Sequence, residues 1–196
     1  GLKENTFEFN EEKYQLPRHG FARDYDFELI SKTEDSAVFS LKYNEETLKI
    51  YPFKFTLIIE YYLIDNKLFI KYLITNSSSK KMYYSIGAHP AFSIDGDLEN
   101  YALEFDASEN LITHKLAENL FSGETEVITL QGKILPLKYE LFEKDAIVLK
   151  DNATSSLLLL KKNIPQLKVN FPDFPFLGIW TKKNAPFICI EPWLGI

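Results

Sequence analysis

Two histidines and one glutamate in this chain stand where proline or glycine fixes the backbone beside them. His89 lies in Gly87-Ala88-His89-Pro90-Ala91-Phe92. Pro90 restricts the residue before it to extended geometry, and Gly87 lets backbone or ligand approach closely. Glu191 ends the apolar run Phe187-Ile188-Cys189-Ile190 and is followed by Pro192 and Trp193. His19 sits in Pro17-Arg18-His19-Gly20, a turn at the end of a strand. Histidine titrates near neutrality, and a glutamate in apolar surroundings is expected to hold its proton more tightly, because burial disfavours the charged form. That pairing suits general acid–base chemistry on a neutral polyol, with no cofactor and no metal required. Each residue also has a purely structural explanation. A histidine before glycine or proline can cap a turn, a glutamate at a strand end commonly faces solvent, and Trp193 can be core.

The chain's two arginines, Arg18 and Arg23, bracket His19, while every other basic side chain apart from the histidines is lysine. Arginine presents a planar fork of donors that lysine cannot imitate, so this segment suits an anion or a hydroxyl-rich ligand. The alternative is chance placement, with one stem packed on Phe21. A metal site is not expected, since the three histidines lie far apart and no His-x-His, HExxH or cysteine cluster occurs. Neither a serine nucleophile elbow nor a phosphate-cradling glycine-rich loop is present. His114 has no motif around it and is expected at the surface. Cys189, the single cysteine, is expected to be a buried, inert thiol.

Net charge is −6, with both signs interspersed. No basic patch marks a nucleic-acid partner, and a mildly acidic surface does not suit an anionic membrane. The sequence shows neither a signal-peptide pattern nor an apolar run long enough to span a bilayer. A cytoplasmic location is therefore expected. The triplets Asn76-Ser77-Ser78 and Asn152-Ala153-Thr154 carry no expectation of glycosylation.

The elements that must position these residues read as strands. Hydrophobic residues make up 45% and aromatics 15% of the chain, ample for a core and rich in strand formers. Strands are expected at residues 7–10, 14–16, 27–32, 37–43, 55–64, 67–75, 82–86, 101–105, 126–130, 146–150, 156–160, 166–170, 177–181 and 187–191. Asp65-Asn66 is a two-residue hairpin signal, and further turns are expected at Asp95-Gly96-Asp97, Gln131-Gly132-Lys133 and Asp151-Asn152. Residues 111–121 form the best helical candidate, with an irregular loop as the alternative. Strands at this spacing imply an all-β sandwich or barrel, and residues 1–196 are read as one domain. The apolar ending Trp193-Leu194-Gly195 suggests further strands beyond both ends of the sequence.

Taken in order, these segments resemble the aldose 1-epimerase (galactose mutarotase) superfamily, nearest to its bacterial mutarotase-related branch with the LacX-like proteins. The likeness rests on Leu16-Pro17-Arg18-His19-Gly20-Phe21-Ala22-Arg23, Gly87-Ala88-His89-Pro90-Ala91-Phe92, Phe142-Glu143-Lys144-Asp145-Ala146-Ile147, and Gly178-Ile179-Trp180 through Glu191-Pro192-Trp193. It implies a large antiparallel β-sandwich with a sugar site on a concave face. It further implies that His89 is the general acid at the ring oxygen and Glu191 the general base at the anomeric hydroxyl. His19 would be a second histidine near the ring oxygen, and Asp145 a carboxylate holding sugar hydroxyls. Trp180, Trp193 and Phe21 would offer apolar faces to the sugar. The implied partner is a hexose or a hexose phosphate, and in the second case Arg23 would hold the phosphate. A non-catalytic sugar-binding protein on the same fold is the alternative of another class.

Overall fold

The computed structural model describes residues 1–106, 110–150 and 154–195. The turn expected at Asp151-Asn152 lies outside the described residues, as does most of the triplet at 152–154. Among the described residues the chain is all-β, with antiparallel strands and one short α-helix. No helix among the described residues is long and apolar enough to cross a membrane. The chain divides into two compact units, Gly1–Tyr83 and Tyr84–Ile196.

In the first unit, β1 (Thr6–Phe9) and β2 (Glu12–Gln15) form a hairpin. The strands β3 (Glu28–Lys32), β4 (Ser36–Lys42), β5 (Phe55–Ile64) and β6 (Lys67–Asn76) follow one another in a four-stranded sheet. The hairpin signal Asp65-Asn66 is borne out. Ile64 pairs with Lys67 across it, and Asp65 takes the positive φ of 54° that such a turn requires. A helix that periodicity could not reveal, α1 (Glu45–Ile50), joins β4 to β5. It is too short for an apolar stripe and is held by its cap. Asn44 Oδ1 accepts from the Thr47 amide at 2.9 Å, and Thr47 Oγ1 accepts from the Asn44 amide at 2.8 Å. Phe21 packs in an aromatic cluster with Tyr25, Tyr51 and Phe55 at centroid distances of 5.9, 5.4 and 5.6 Å.

The second unit is a β-sandwich. Its strands are β7 (Ala91–Ser93), β8 (Tyr101–Phe105), β9 (Asn110–Ala117), β10 (Leu120–Thr129), β11 (Ile134–Pro136), β12 (Ile147–Leu149), β13 (Ser156–Lys161), β14 (Ile164–Asn170), β15 (Phe176–Trp180) and β16 (Phe187–Trp193). One sheet runs β10-β9-β12-β15-β16-β7 and the other β11-β8-β13-β14. Alternate residues of facing strands meet in one core. Leu103, Phe105, Leu157 and Leu159 come from the smaller sheet, and Ile147, Leu149, Leu177, Ile179, Ile188 and Ile190 from the larger. Because side chains alternate along a strand, burying these residues commits the intervening ones to the opposite face of the larger sheet. Val148, Gly178, Trp180, Cys189, Glu191 and Trp193 therefore share that face.

Two expectations are corrected. Residues 111–121 form neither a helix nor a loop. They are most of the β9–β10 hairpin, in which Ala117 pairs with Leu120. Glu118 and Asn119 close it with φ of 51° and 66°, the primed turn that matches strand twist. Residues 82–86 do not form a strand. Pairing begins only at Ile86, whose carbonyl accepts from the Leu194 amide at 2.8 Å.

Candidate active site

The segment after Ile86 runs antiparallel to β16. Ala88 N donates to the Pro192 carbonyl at 3.0 Å and Ile190 N to the Pro90 carbonyl at 3.3 Å. Gly87 pairs with Trp193 and Ala91 with Cys189. That register puts His89 directly opposite Glu191, and Pro90 holds it extended. On the other side of β16, Glu191 pairs with Gly178, which pairs with Val148. One row across the sheet thus reads Val148, Gly178, Glu191, His89.

The two polar members of the row meet. His89 Nδ1 lies 3.3 Å from Glu191 Oε1, with 51% of the histidine side chain and 8% of the glutamate side chain exposed. The carboxylate is sunk in the sheet face and the imidazole opens to solvent, as a group that must meet a ligand would. The expectation that Glu191 faces solvent from a strand end is excluded: the strand continues through Pro192 to Trp193.

Aromatic side chains flank the pair. Trp193, two residues beyond Glu191 on the same face, is seated by two glycines. A Cβ at Gly178 would stand 2.5 Å from its Cζ2 and 2.6 Å from its Cη2, and a Cβ at Gly87 would stand 2.4 Å from its Cδ1. All three distances are too short for any side chain, so the indole lies against the bare backbone beside Glu191. On the other side of the row, Trp180 stands opposite Cys189 and packs on Phe187 at a centroid distance of 5.7 Å.

Cys189 is buried as expected. Burial, with the Glu191 charge adding to it, pushes its thiol pKa up to about 11, so it is a neutral thiol at physiological pH and not a nucleophile. Its sulfur nevertheless belongs to the pair's surroundings. Ligand atoms of His89, Cys189 and Glu191 all lie within 4.8 Å of one another. Motif reading missed this juxtaposition, although only Ile190 separates Cys189 from Glu191 along the strand and period two puts them on one face.

The other expected site residues are placed as follows. Asp145 precedes β12, is half-buried, and its Oδ1 accepts from the Ala146 amide at 2.7 Å. His114, expected at the surface, is half-buried on β9 and meets the Phe121 ring edge-on at 6.2 Å. His19 and Arg23 belong to the first unit. The Pro17–Gly20 turn is formed, with Gly20 N donating to the Pro17 carbonyl at 2.8 Å, and it leaves Arg18 and His19 exposed. Arg23 lies in the short 3-10 turn Ala22–Asp24, 64% exposed, with Nε 3.7 Å from Asp24 Oδ1.

The fold is that of the galactose mutarotase-like β-sandwich proteins. A galactose mutarotase-related enzyme of Lactobacillus acidophilus superposes with a TM-score of 0.88 at 30% identity, covering 98% of this chain and 67% of that one. A galactose mutarotase-like protein of Lactobacillus casei gives a TM-score of 0.85 at 30% identity, covering 97% of this chain and 68% of that one. The chromosomal LacX protein of Lactococcus lactis is 38% identical over 92% of this chain, which spans 64% of that relative's length. The family model for aldose 1-epimerase matches residues 3–195. The chain belongs to the aldose 1-epimerase family.

Proposed function

We propose that this chain supplies the acid–base pair of an aldose 1-epimerase, interconverting the α and β anomers of a hexose. The observation that carries this reading is the register that sets His89 opposite Glu191, 3.3 Å apart. Ring opening needs one proton delivered to the ring oxygen and one removed from the anomeric hydroxyl. His89 donates the first and Glu191 takes the second. The C–O ring bond breaks as the anomeric C–O becomes a carbonyl, leaving an open-chain aldehyde. Rotation about C1–C2 turns the other carbonyl face toward the returning hydroxyl. Closure reverses both proton transfers, so the enzyme returns to its starting state without redox chemistry. Trp193 and Trp180 supply flat apolar faces on either side of the pair, suited to the C–H faces of a sugar ring. Asp145, His19 and Arg23 are assigned to substrate binding by their motifs, and with that assignment residues 1–196 act as one domain in the cytoplasm.

The test is anomer exchange followed by polarimetry with glucose, galactose and glucose 6-phosphate. Exchange above the buffer rate, lost in Glu191→Gln, is the expected result. Sugar binding with exchange at the buffer rate would instead assign the chain a binding role. A strong preference for the phosphorylated sugar, abolished in Arg23→Ala, would move the substrate to a hexose phosphate.

A further inference from the structure

The same sheet face brings together three side chains of differing chemistry, and we infer that His89, Cys189 and Glu191 form a site for a soft divalent metal ion of the zinc class. When filled, the site silences the acid–base pair; that consequence rests on the function proposed above, whereas the binding itself does not. The geometry is set by backbone pairing. His89 and Glu191 are opposite one another across neighbouring chain segments, and Cys189 is two residues before Glu191 on β16. All three present a ligand atom within 4.8 Å of the others.

Zinc binds imidazole nitrogen, thiolate sulfur and carboxylate oxygen at about 2.0–2.3 Å, which places the ligand atoms of a tetrahedral site roughly 3.3–3.8 Å apart. The His89 Nδ1–Glu191 Oε1 separation is already 3.3 Å. No separation exceeds 4.8 Å, so closing the rest takes at most about 1 Å of side-chain adjustment. Three protein ligands leave a fourth position on the solvent side for water. The charges also match. A divalent ion balances one carboxylate and one thiolate, so filling the site leaves no unpaired charge against the apolar sheet. Sulfur decides the choice of ion, because thiolate selects zinc and its soft neighbours over magnesium or calcium. The ion displaces the thiol proton as it binds. It then occupies the nitrogen and oxygen that would otherwise exchange protons with a sugar.

Cobalt titration of the protein tests this directly. Cys189 is the only cysteine in the chain, so a thiolate-to-cobalt charge-transfer band in the near ultraviolet reports this site alone. The band should saturate at one equivalent and be displaced by zinc. It should vanish in Cys189→Ala. In His89→Asn, which alters an exposed side chain and spares the core, zinc affinity should fall roughly tenfold or more. Anomer exchange by the metal-free protein should fall as the site fills, with zinc or in step with growth of the cobalt band, and return when a chelator strips the ion. Absence of the band in the folded protein would overturn the inference. So would equal zinc inhibition of the native protein and Cys189→Ala. A protein that shows the band on adding cobalt, yet never exchanges anomers when metal-free, would refute the epimerase reading and leave the metal site standing.

Discussion

His89 faces Glu191 across antiparallel backbone pairing, so the distance between them is fixed by sheet register and not by a loop. The hydrogen bonds at Ala88–Pro192 and Ile190–Pro90 bracket the pair. Both prolines contribute through their carbonyls, since neither has an N–H to offer the ladder. A one-residue slip would turn Glu191 into the core and bring Ile190 onto the site face, a cost that the buried Ile188 and Ile190 forbid.

Glu191→Gln keeps the shape of the side chain but removes the base. Anomer exchange should fall by about 10²- to 10⁴-fold, with the far-ultraviolet circular dichroism unchanged. His89→Asn should fall by a similar factor, and His19→Asn by less. Native-like exchange in Glu191→Gln, measured by polarimetry against the buffer rate, would remove that residue from the role of base.

Gly87→Ala and Gly178→Ala should each destabilise the protein by about 1–3 kcal/mol, because the new methyl group meets the Trp193 ring and forces it to shift. Denaturant titration measures the loss, and tryptophan emission reports the displaced indole. The two effects should shrink in a Trp193→Ala background, since the collision then has no second partner. Additive losses in the double variants would show that the glycines serve backbone needs and not the seat of Trp193.

These two predictions rest on features of unequal visibility in the sequence. Pro90 and the apolar run before Glu191 marked the pair, and runs of strand-forming residues gave β12, β15 and β16 of the larger sheet. The β5–β6 hairpin was legible to within a residue because Asp65-Asn66 is a strong turn signal. The β9–β10 hairpin was not, because Glu118-Asn119 is a weak one and the apolar residues Ile112, Leu116 and Leu120 also fit a helical spacing. α1 escaped because six residues cannot show a helical period. Period two along β16 puts Cys189 on the face of Glu191, but its nearness to His89 and the glycine seat of Trp193 depend on cross-strand register. No spacing along the chain encodes that.

Arg23→Ala should change stability by no more than about 0.5 kcal/mol, since the side chain is 64% exposed and its contact with Asp24 is a surface pair. Its effect on exchange should therefore report substrate charge alone. With a neutral hexose the rate should stay near native, and with a hexose phosphate KM should rise. Equal losses on both substrates would assign Arg23 to the sugar hydroxyls instead.

The thiol of Cys189 links stability to alkaline pH with a definite sign. In the fold its pKa is pushed up to about 11 from an ordinary 9.0. Between those values the unfolded chain releases the proton and the native chain keeps it, so the unfolded state is favoured as pH rises. The contribution is fully retained below about pH 9, erodes through the interval, and is lost once pH passes the folded value. A displacement of this size corresponds to a loss on the order of 2–3 kcal/mol. Lysines and tyrosines titrate in the same range, so the readout is a difference. Stability of the native protein should decline more steeply with pH than that of Cys189→Ala, the two curves running parallel below pH 9. Curves parallel throughout would mean that the thiol titrates alike in both states. Reaction with a thiol reagent near neutral pH gives an independent check. The metal-free native protein should be protected and the denatured chain should yield one reactive thiol, because near neutral pH the fold keeps Cys189 buried and protonated while unfolding exposes it to water.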